Sequence, residues 1–278
     1  MTKLNLKNTQ HRDHKIKGYL SRQAQNLYST DEYIQKNPTL HEEDSNWKIA
    51  KILPYVDLIF ADGFKPSSCL TLLDVGGGAD IIMNEVASYM NSEFKVRVRK
   101  IALDLSPGML KVQIKNNPDL SKALNEDICH TSVADKEVDV ALMIDVLEHI
   151  PEPVKALKEL KRISKYVIFK VPLENNLRAK IENKLNHGRT KLSSKEKWGH
   201  INFYSTFTIL SQVAENTGKI LAYSFTNSFA YGLYANKPNL KTRVSCSIGM
   251  LLHKVSPKLC SLFLGDFIMI LVKCNSVA

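Results

Sequence analysis

The 278-residue sequence has no uninterrupted apolar run of the roughly 18 residues that a membrane-spanning helix needs. Its first fifteen residues, MTKLNLKNTQHRDHK, are polar and basic and lack the apolar middle of a secretory signal. Cysteine is scarce. Cys69, Cys129, Cys246, Cys260 and Cys274 are odd in number and never form a CxxC pair. That spacing gives no reason to expect a zinc cluster, and free thiols in a reducing cytoplasm are the simplest reading. Three consecutive glycines occur, Gly76 to Gly78, but no Gly-Lys-Ser/Thr follows them, which excludes a phosphate-binding P-loop. A dinucleotide GxGxxG starting at Gly76 would need glycine at 81, where Ile81 stands.

What is present is positive charge, unevenly spread over a net +10. Residues 1–30 carry six Lys/Arg against one acid, 151–200 carry thirteen against five, and 229–264 carry five against none. The remainder of the chain is therefore acidic on balance. Such segregation points to an anionic partner, with a merely soluble basic surface as the plainer alternative.

The hydrophobic pattern alternates between two periods. SCLTLLDV (68–75), VRVRKIALDL (96–105), EVDVALMID (137–145) and KYVIFKVP (165–172) read as buried strands. DIIMNEVASYM (80–90), GMLKVQIKNN (108–117) and PVKALKELKRI (153–163) lie between them with helical spacing. Strand alternating with helix predicts an α/β fold with a parallel, doubly wound sheet. Past Pro172 the rhythm changes. A helix is expected at 207–218, and strands at 219–227 and 266–274 would add antiparallel pairing at one edge.

The glycines follow the first strand, where an open parallel sheet binds ligands and where bare backbone permits close approach. Asp80, at the start of the next helix, places a carboxylate where a pyrophosphate would otherwise sit. A cationic ligand suffers no such repulsion.

DVGGGAD (74–80) resembles motif I of class I S-adenosylmethionine-dependent methyltransferases, Asp/Glu-x-Gly-x-Gly-x-Gly. Asp74, Gly76 and Gly78 match, and Asp80 replaces the third glycine. IALDLSPGML (101–110), NEDI (125–128) and DVALMIDVLEHIPEP (139–153) are similar to the segments that close strands two, three and four in that family. The resemblance implies a Rossmann-like, seven-stranded mixed sheet with an antiparallel edge strand and a helical cap. It implies S-adenosyl-L-methionine as cofactor. Asp74, Gly76, Gly77 and Gly78 would shape the turn, and Asp104, with Leu105 beside it, would accept hydrogen bonds from the ribose hydroxyls. Asp127 would meet the adenine amino group, Ile128 its face, and Asp145 would close the cofactor site. The flanks EYIQKNPTLHEEDSNWKIAKIL (32–53) and WGHINFYS (198–205) resemble bacterial-type methyltransferases acting on glycan and lipid-linked acceptors. The organisation expected is a cap over 1–55, a cofactor-binding core over 56–172, and a lid with sheet-completing strands over 173–278.

His149, directly after strand four, is the first candidate general base, with loop-pinning or cofactor contact as the alternative. His200 is the second, and helix capping or packing is its alternative. His41 would face the acceptor, unless it is simply exposed. Trp47 and Trp198 would wall the acceptor pocket, core packing being the other reading. Asp145, Glu148 and His149 stand at i, i+3 and i+4, so a helical turn would put them on one face. A similar acid-x-x-Glu-His cluster holds a divalent metal in some quinone and RNA-end methyltransferases. The reading taken here is cofactor contact and loop structure, with no metal. Residues 240–265 alternate basic and apolar positions; a helix packed on the sheet is preferred over a lipid-facing surface.

The expected function is methyl transfer to an oxygen of a small-molecule or lipid/glycan-linked acceptor, in the cytoplasm or at the inner face of the membrane. The alternatives are an RNA methyltransferase or a non-catalytic cofactor-binding subunit. No Asn/Asp-Pro-Pro-Tyr/Phe motif of base methylation is present, so nucleic acid is not the expected partner.

Overall fold

The computed structural model describes residues 42–66, 69–189, 199–234 and 238–274. Seven strands form one sheet: β1 (Cys69–Val75), β2 (Arg97–Leu103), β3 (Lys122–Leu124), β4 (Val138–Ile144), β5 (Ser164–Pro172), β6 (Gly218–Phe225) and β7 (Phe267–Cys274). Their spatial order is β3-β2-β1-β4-β5-β7-β6. β3, β2, β1, β4 and β5 pair in parallel, and β7 runs antiparallel to both β5 and β6. The antiparallel strand thus lies one place in from the edge. The chain winds outward from β1 to β3, then returns to build β4 and β5 on the other side. β1 and β4 therefore flank the topological switch point, where such sheets bind ligands.

Helices cover both faces. α1 (Ser45–Ala61), α2 (Ile81–Phe94) and α3 (Pro107–Asn116) lie on one; α4 (Pro153–Ile163) and α6 (Thr206–Asn216) lie on the other, with α5 (Leu177–Leu185) between them in sequence. The strands alternate faces with period two. Leu70, Leu72, Val140, Leu142 and Ile168 pack against Ile52, Val56, Ile59, Met83, Val86 and Met90. Leu73, Val75, Ile101, Val167 and Phe169 pack against Leu157, Leu160, Ile163, Ile209 and Val213. This double burial explains why β1, β4 and β5 read as continuous apolar runs instead of alternating ones. α1 runs unbroken through 55 and 56 and buries Ile52, Val56 and Ile59 under the sheet. The described part of the expected cap is therefore a layer of the core sandwich.

Between β6 and β7 the chain forms α7 (Ser228–Tyr234), α8 (Leu240–Val255) and α9 (Pro257–Phe263). Ser256 ends α8 and caps α9, accepting a hydrogen bond from Leu259 N, with Pro257 at the first helical position. The expectation of a helix packed on the sheet fails for α8. It packs against α7 and α9, and only Cys246 and Gly249 of it are buried. A Cβ on Gly249 would overlap the Phe229 ring, so glycine is what lets α7 and α8 approach. All five cysteines are free thiols.

Candidate active site

The turn after β1 places Gly76 at φ 65° and Gly78 at φ 59°, the left-handed region that glycine enters without strain. Asp80, at φ 66°, shares that conformation at the N-terminus of α2. Aspartate is among the few residues that tolerate it, which explains why the third glycine of the motif is dispensable here. A Cβ on Gly77 would meet the Asp74 carboxyl carbon at 2.7 Å and Asp80 Oδ1 at 2.9 Å. Two carboxyls thus lie under one bare backbone position. Asp74 Oδ2 and Asp80 Oδ1 are both buried without a hydrogen-bond donor. A single proton between them satisfies both atoms. Burial and mutual repulsion push Asp80 up to about 9, and burial raises Asp74 to about 7. Asn117 Nδ2 donates to Asp80 Oδ2 at 3.1 Å.

A carboxyl that holds its proton more tightly in the folded chain than in the unfolded one makes folding less favourable as pH rises. Stability is therefore expected to fall as pH rises from about 4, the unfolded carboxyl value, to about 9. Asp80→Asn, which keeps an N–H facing Asp74 and tolerates the left-handed backbone, should flatten that fall in Tm. Asp80→Ala should cost about 1–2 kcal/mol at pH 7, through backbone strain and an orphaned Asp74. A pH slope unchanged in Asp80→Asn would dismiss the shared proton.

Above this turn lies a cavity of about 250 Å³ at the carboxyl ends of β1, β2 and β4. Gly76, Gly78, Asp104, Leu105, Asp127, Ile128, Asp145 and His149 line it. Asp74 and Gly77 do not reach its wall; they support the turn from behind. Asp104 Oδ1 accepts from Ser106 N at 2.8 Å, and Gln113 Nε2 lies 3.5 Å from its Oδ2. Gln113 also donates to Gly78 O, tying the glycine turn to α3. Burial raises Asp104 to about 6. Asp127 Oδ1 accepts from Cys129 N at 2.8 Å, which orders the loop after β3. The Cys129 thiol, also in the wall, is pushed up to about 12 by burial and is no nucleophile at neutral pH. Glu126 and Glu152 also line it, and among the described residues the lining holds five acidic side chains and neither lysine nor arginine.

Asp145 does not join Glu148 and His149. Its backbone is left-handed, at φ 57°, and its carboxylate turns toward Lys170, with both oxygens 2.6 Å from Nζ. Lys48 Nζ adds a contact at 3.1 Å to Oδ2 and reaches Asp44 at 2.9 Å. Burial alone would raise Asp145, but the two lysines outweigh it and hold the acid at about 2. Lys170 is fully buried in β5, 3.6 Å from the Phe267 ring centroid and 5.6 Å from that of Trp47. Trp47 therefore packs with Tyr231 and Phe267 behind this ion cluster and lies outside the cavity wall. Lys48 and Lys170 were missed in sequence. The available signal was a lysine inside the apolar run VIFKVP.

The short 3₁₀ turn Leu147–His149 follows β4. Ile201 N and Asn202 N both donate to Glu148 O, and Asn202 Nδ2 donates to Leu147 O and Ile150 O. The segment after Gly199 is thereby fastened onto this turn. His149 and His200 meet with ring centroids 4.9 Å apart. His149 Nδ1 lies 3.2 Å from Gly199 O, a carbonyl that can only accept, so Nδ1 donates there. His200 Nδ1 pairs with Glu174 Oε2 at 2.7 Å. Glu148 is buried beside them, its Oε2 without a donor and its Oε1 4.0 Å from His149 Nε2; burial holds its carboxyl well above the usual range. Ligand atoms of Glu148, His149 and His200 lie within 4.8 Å of one another. A cation at this place would take His200 as a ligand in the role the sequence gave Asp145. His41 and Trp198 lie outside the described residues.

Residues 73–166 match the family model described as Methyltransferase domain. No curated protein matches the sequence. Among solved structures, a Haloferax volcanii methyltransferase in complex with the Trm112 methyltransferase activator is similar at 15% identity over 88% of this chain and 95% of that one, with TM-score 0.54. The geranyl diphosphate C-methyltransferase of Streptomyces coelicolor A3(2), in complex with Mg²⁺, geranyl diphosphate and S-adenosyl-L-homocysteine, is similar at 11% identity over 79% and 77%, with TM-score 0.52. A Bacillus halodurans C-125 methyltransferase shares 13% identity over 80% and 99%, with TM-score 0.51. Residues 73–166 thus form a methyltransferase domain, and the sheet that contains them has the Rossmann-like fold of the methyltransferase structures to which it is similar.

Proposed function

We propose that the chain transfers the methyl group of S-adenosylmethionine to an oxygen of a small-molecule or lipid/glycan-linked acceptor, with His149 as general base. One observation carries the reading: among the described residues the cavity at the switch point is lined by five acids and by neither lysine nor arginine, with an imidazole in its wall. The acid-rich lining suits a ligand that bears a sulfonium and an ammonium and disfavours a phosphorylated one. When bound, the cofactor supplies a methyl carbon already electrophilic at sulfur. Asp104, held open by Ser106 N, would take the ribose hydroxyls. Asp127 and Ile128 would hold the adenine from the β3 side. His149, whose Nδ1 is anchored on the Gly199 carbonyl, would accept the acceptor's proton at Nε2. Glu174 pairs with His200, whose ring meets that of His149 beside the cavity.

Asp104→Ala should weaken S-adenosylmethionine binding about 100-fold in calorimetry, the worth of two charge-assisted hydrogen bonds. Asp104→Asn should fall between. For the wild type, affinity should improve as pH rises through about 6, because the ionised carboxylate is the form that accepts both hydroxyls. Unchanged affinity in Asp104→Ala, with the fold retained by circular dichroism, would remove the ribose assignment.

A further inference from the structure

The excursion between β6 and β7 presents an apolar face to solvent. In α8, Leu240, Val244, Ile248, Leu251 and Val255 recur at helical spacing and share one stripe. Leu240 is 78% exposed, Leu251 66% and Val255 74%. Leu259, Leu262 and Phe263 of α9 are exposed as well. α5, which packs against α9, adds exposed Leu177, Ile181 and Leu185 at the same four-residue spacing.

Charge selects the occupant. Lys241, Arg243, Lys254 and Lys258 are exposed on α8 and α9, and residues 229–264 contain no acid at all. At 100° per residue, Lys241 falls on one flank of the α8 stripe, and Arg243 and Lys254 fall on the other. An apolar stripe between cationic flanks is the pattern of a helix lying in the interface of an anionic bilayer. Location agrees. The excursion leaves β6 at Phe225 and enters β7 at Phe267, which pairs with Pro172 at the carboxyl end of β5. The helices therefore stand at the sheet edge that also carries the cofactor cavity.

We infer that α8 and α9, with α5 beside them, dock the enzyme on anionic phospholipid and bring the acceptor side of the cavity to the membrane surface. The inference extends the lipid-linked branch of the acceptor reading, but it can be tested without any acceptor. The full-length protein should co-sediment with vesicles of phosphatidylcholine and phosphatidylglycerol, and not with phosphatidylcholine alone. Binding should weaken as salt rises. Ile248→Gln with Leu251→Gln should reduce vesicle affinity on the order of tenfold, as should Lys241→Gln with Lys254→Gln. Both pairs are exposed, so Tm and S-adenosylmethionine affinity should be unchanged. No wild-type binding to anionic vesicles at low salt would overturn the inference, as would either double variant binding like the wild type. A wild-type dimer in light scattering that the apolar pair converts to monomer, without vesicle binding, would assign the face to a second copy instead. Vesicle binding without methyl transfer into a lipid fraction would remove the lipid-linked acceptor and leave the docking face standing.

Discussion

His149→Ala is expected to lower turnover by roughly 10²- to 10⁴-fold, the usual contribution of a positioned general base, while S-adenosylmethionine affinity stays within about threefold of the wild type. The asymmetry follows from the geometry. His149 lines the cavity, but its ring is anchored by the Gly199 carbonyl and neighbours His200, and in the proposed reading it serves the acceptor and not the cofactor. His149→Gln keeps a polar group near Gly199 and cannot take a proton; it should be nearly as slow as alanine. A base also leaves a kinetic signature that a loop-pinning residue does not. The acid limb of the wild-type pH–rate profile should vanish in His149→Gln, not merely shift. If turnover stays near the parental rate, the proton leaves by another route. If instead activity is lost to EDTA and restored by Mn²⁺, Glu148, His149 and His200 serve as ligands and the acceptor hydroxyl is activated by the cation.

The second large effect concerns stability. Lys170→Met should destabilise the fold by about 3–5 kcal/mol, the cost of removing one partner from a buried ion pair. Asp145 would keep only Lys48, at 3.1 Å. Holding Asp145 at about 2 depends on both lysines, so the variant should also lose acid resistance at a higher pH than the wild type. A carboxyl depressed in the folded state contributes stability above its unfolded value, near pH 4, and loses it as pH falls toward 2. With Lys170 gone, that depression shrinks and so does the contribution. Urea titration of Lys170→Met, Asp145→Asn and the double variant measures the coupling. A double variant more stable than Lys170→Met is expected, since it no longer buries a partly paired charge. A loss below 1 kcal/mol for Lys170→Met would mean that water reaches the cluster. Because Asp145 lines the cavity, cofactor affinity should fall with it.

Some expectations changed in ways the chain itself explains. Asp145, Glu148 and His149 suggested one helical face. In the structure Asp145 takes a left-handed backbone and the turn after it spans only Leu147–His149, so the three do not share a face. The acid then finds Lys170, one strand away, while Glu148 is left beside His149 and His200. Trp47 reads from the sequence as pocket wall or core packing; in the structure its ring meets Tyr231 and Phe267.

The sequence by itself determined the sheet's parallel core and the residues that gather at its carboxyl end. Those features are local. Apolar period marks each strand, glycines mark the turn after β1, and the acids Asp104, Asp127 and Asp145 fall at or just beyond strand ends. A strand's carboxyl end is where its next residues must face the ligand, whatever the rest of the chain does. Tertiary structure alone decided the rest: that His200 reaches His149 across 51 positions, that Lys48 and Lys170 converge on Asp145, and that α8 turns its apolar stripe outward. An amphipathic pattern reads the same whether its face is covered or bare. Only the placement of neighbouring elements settles which charges are desolvated together and which apolar faces meet water.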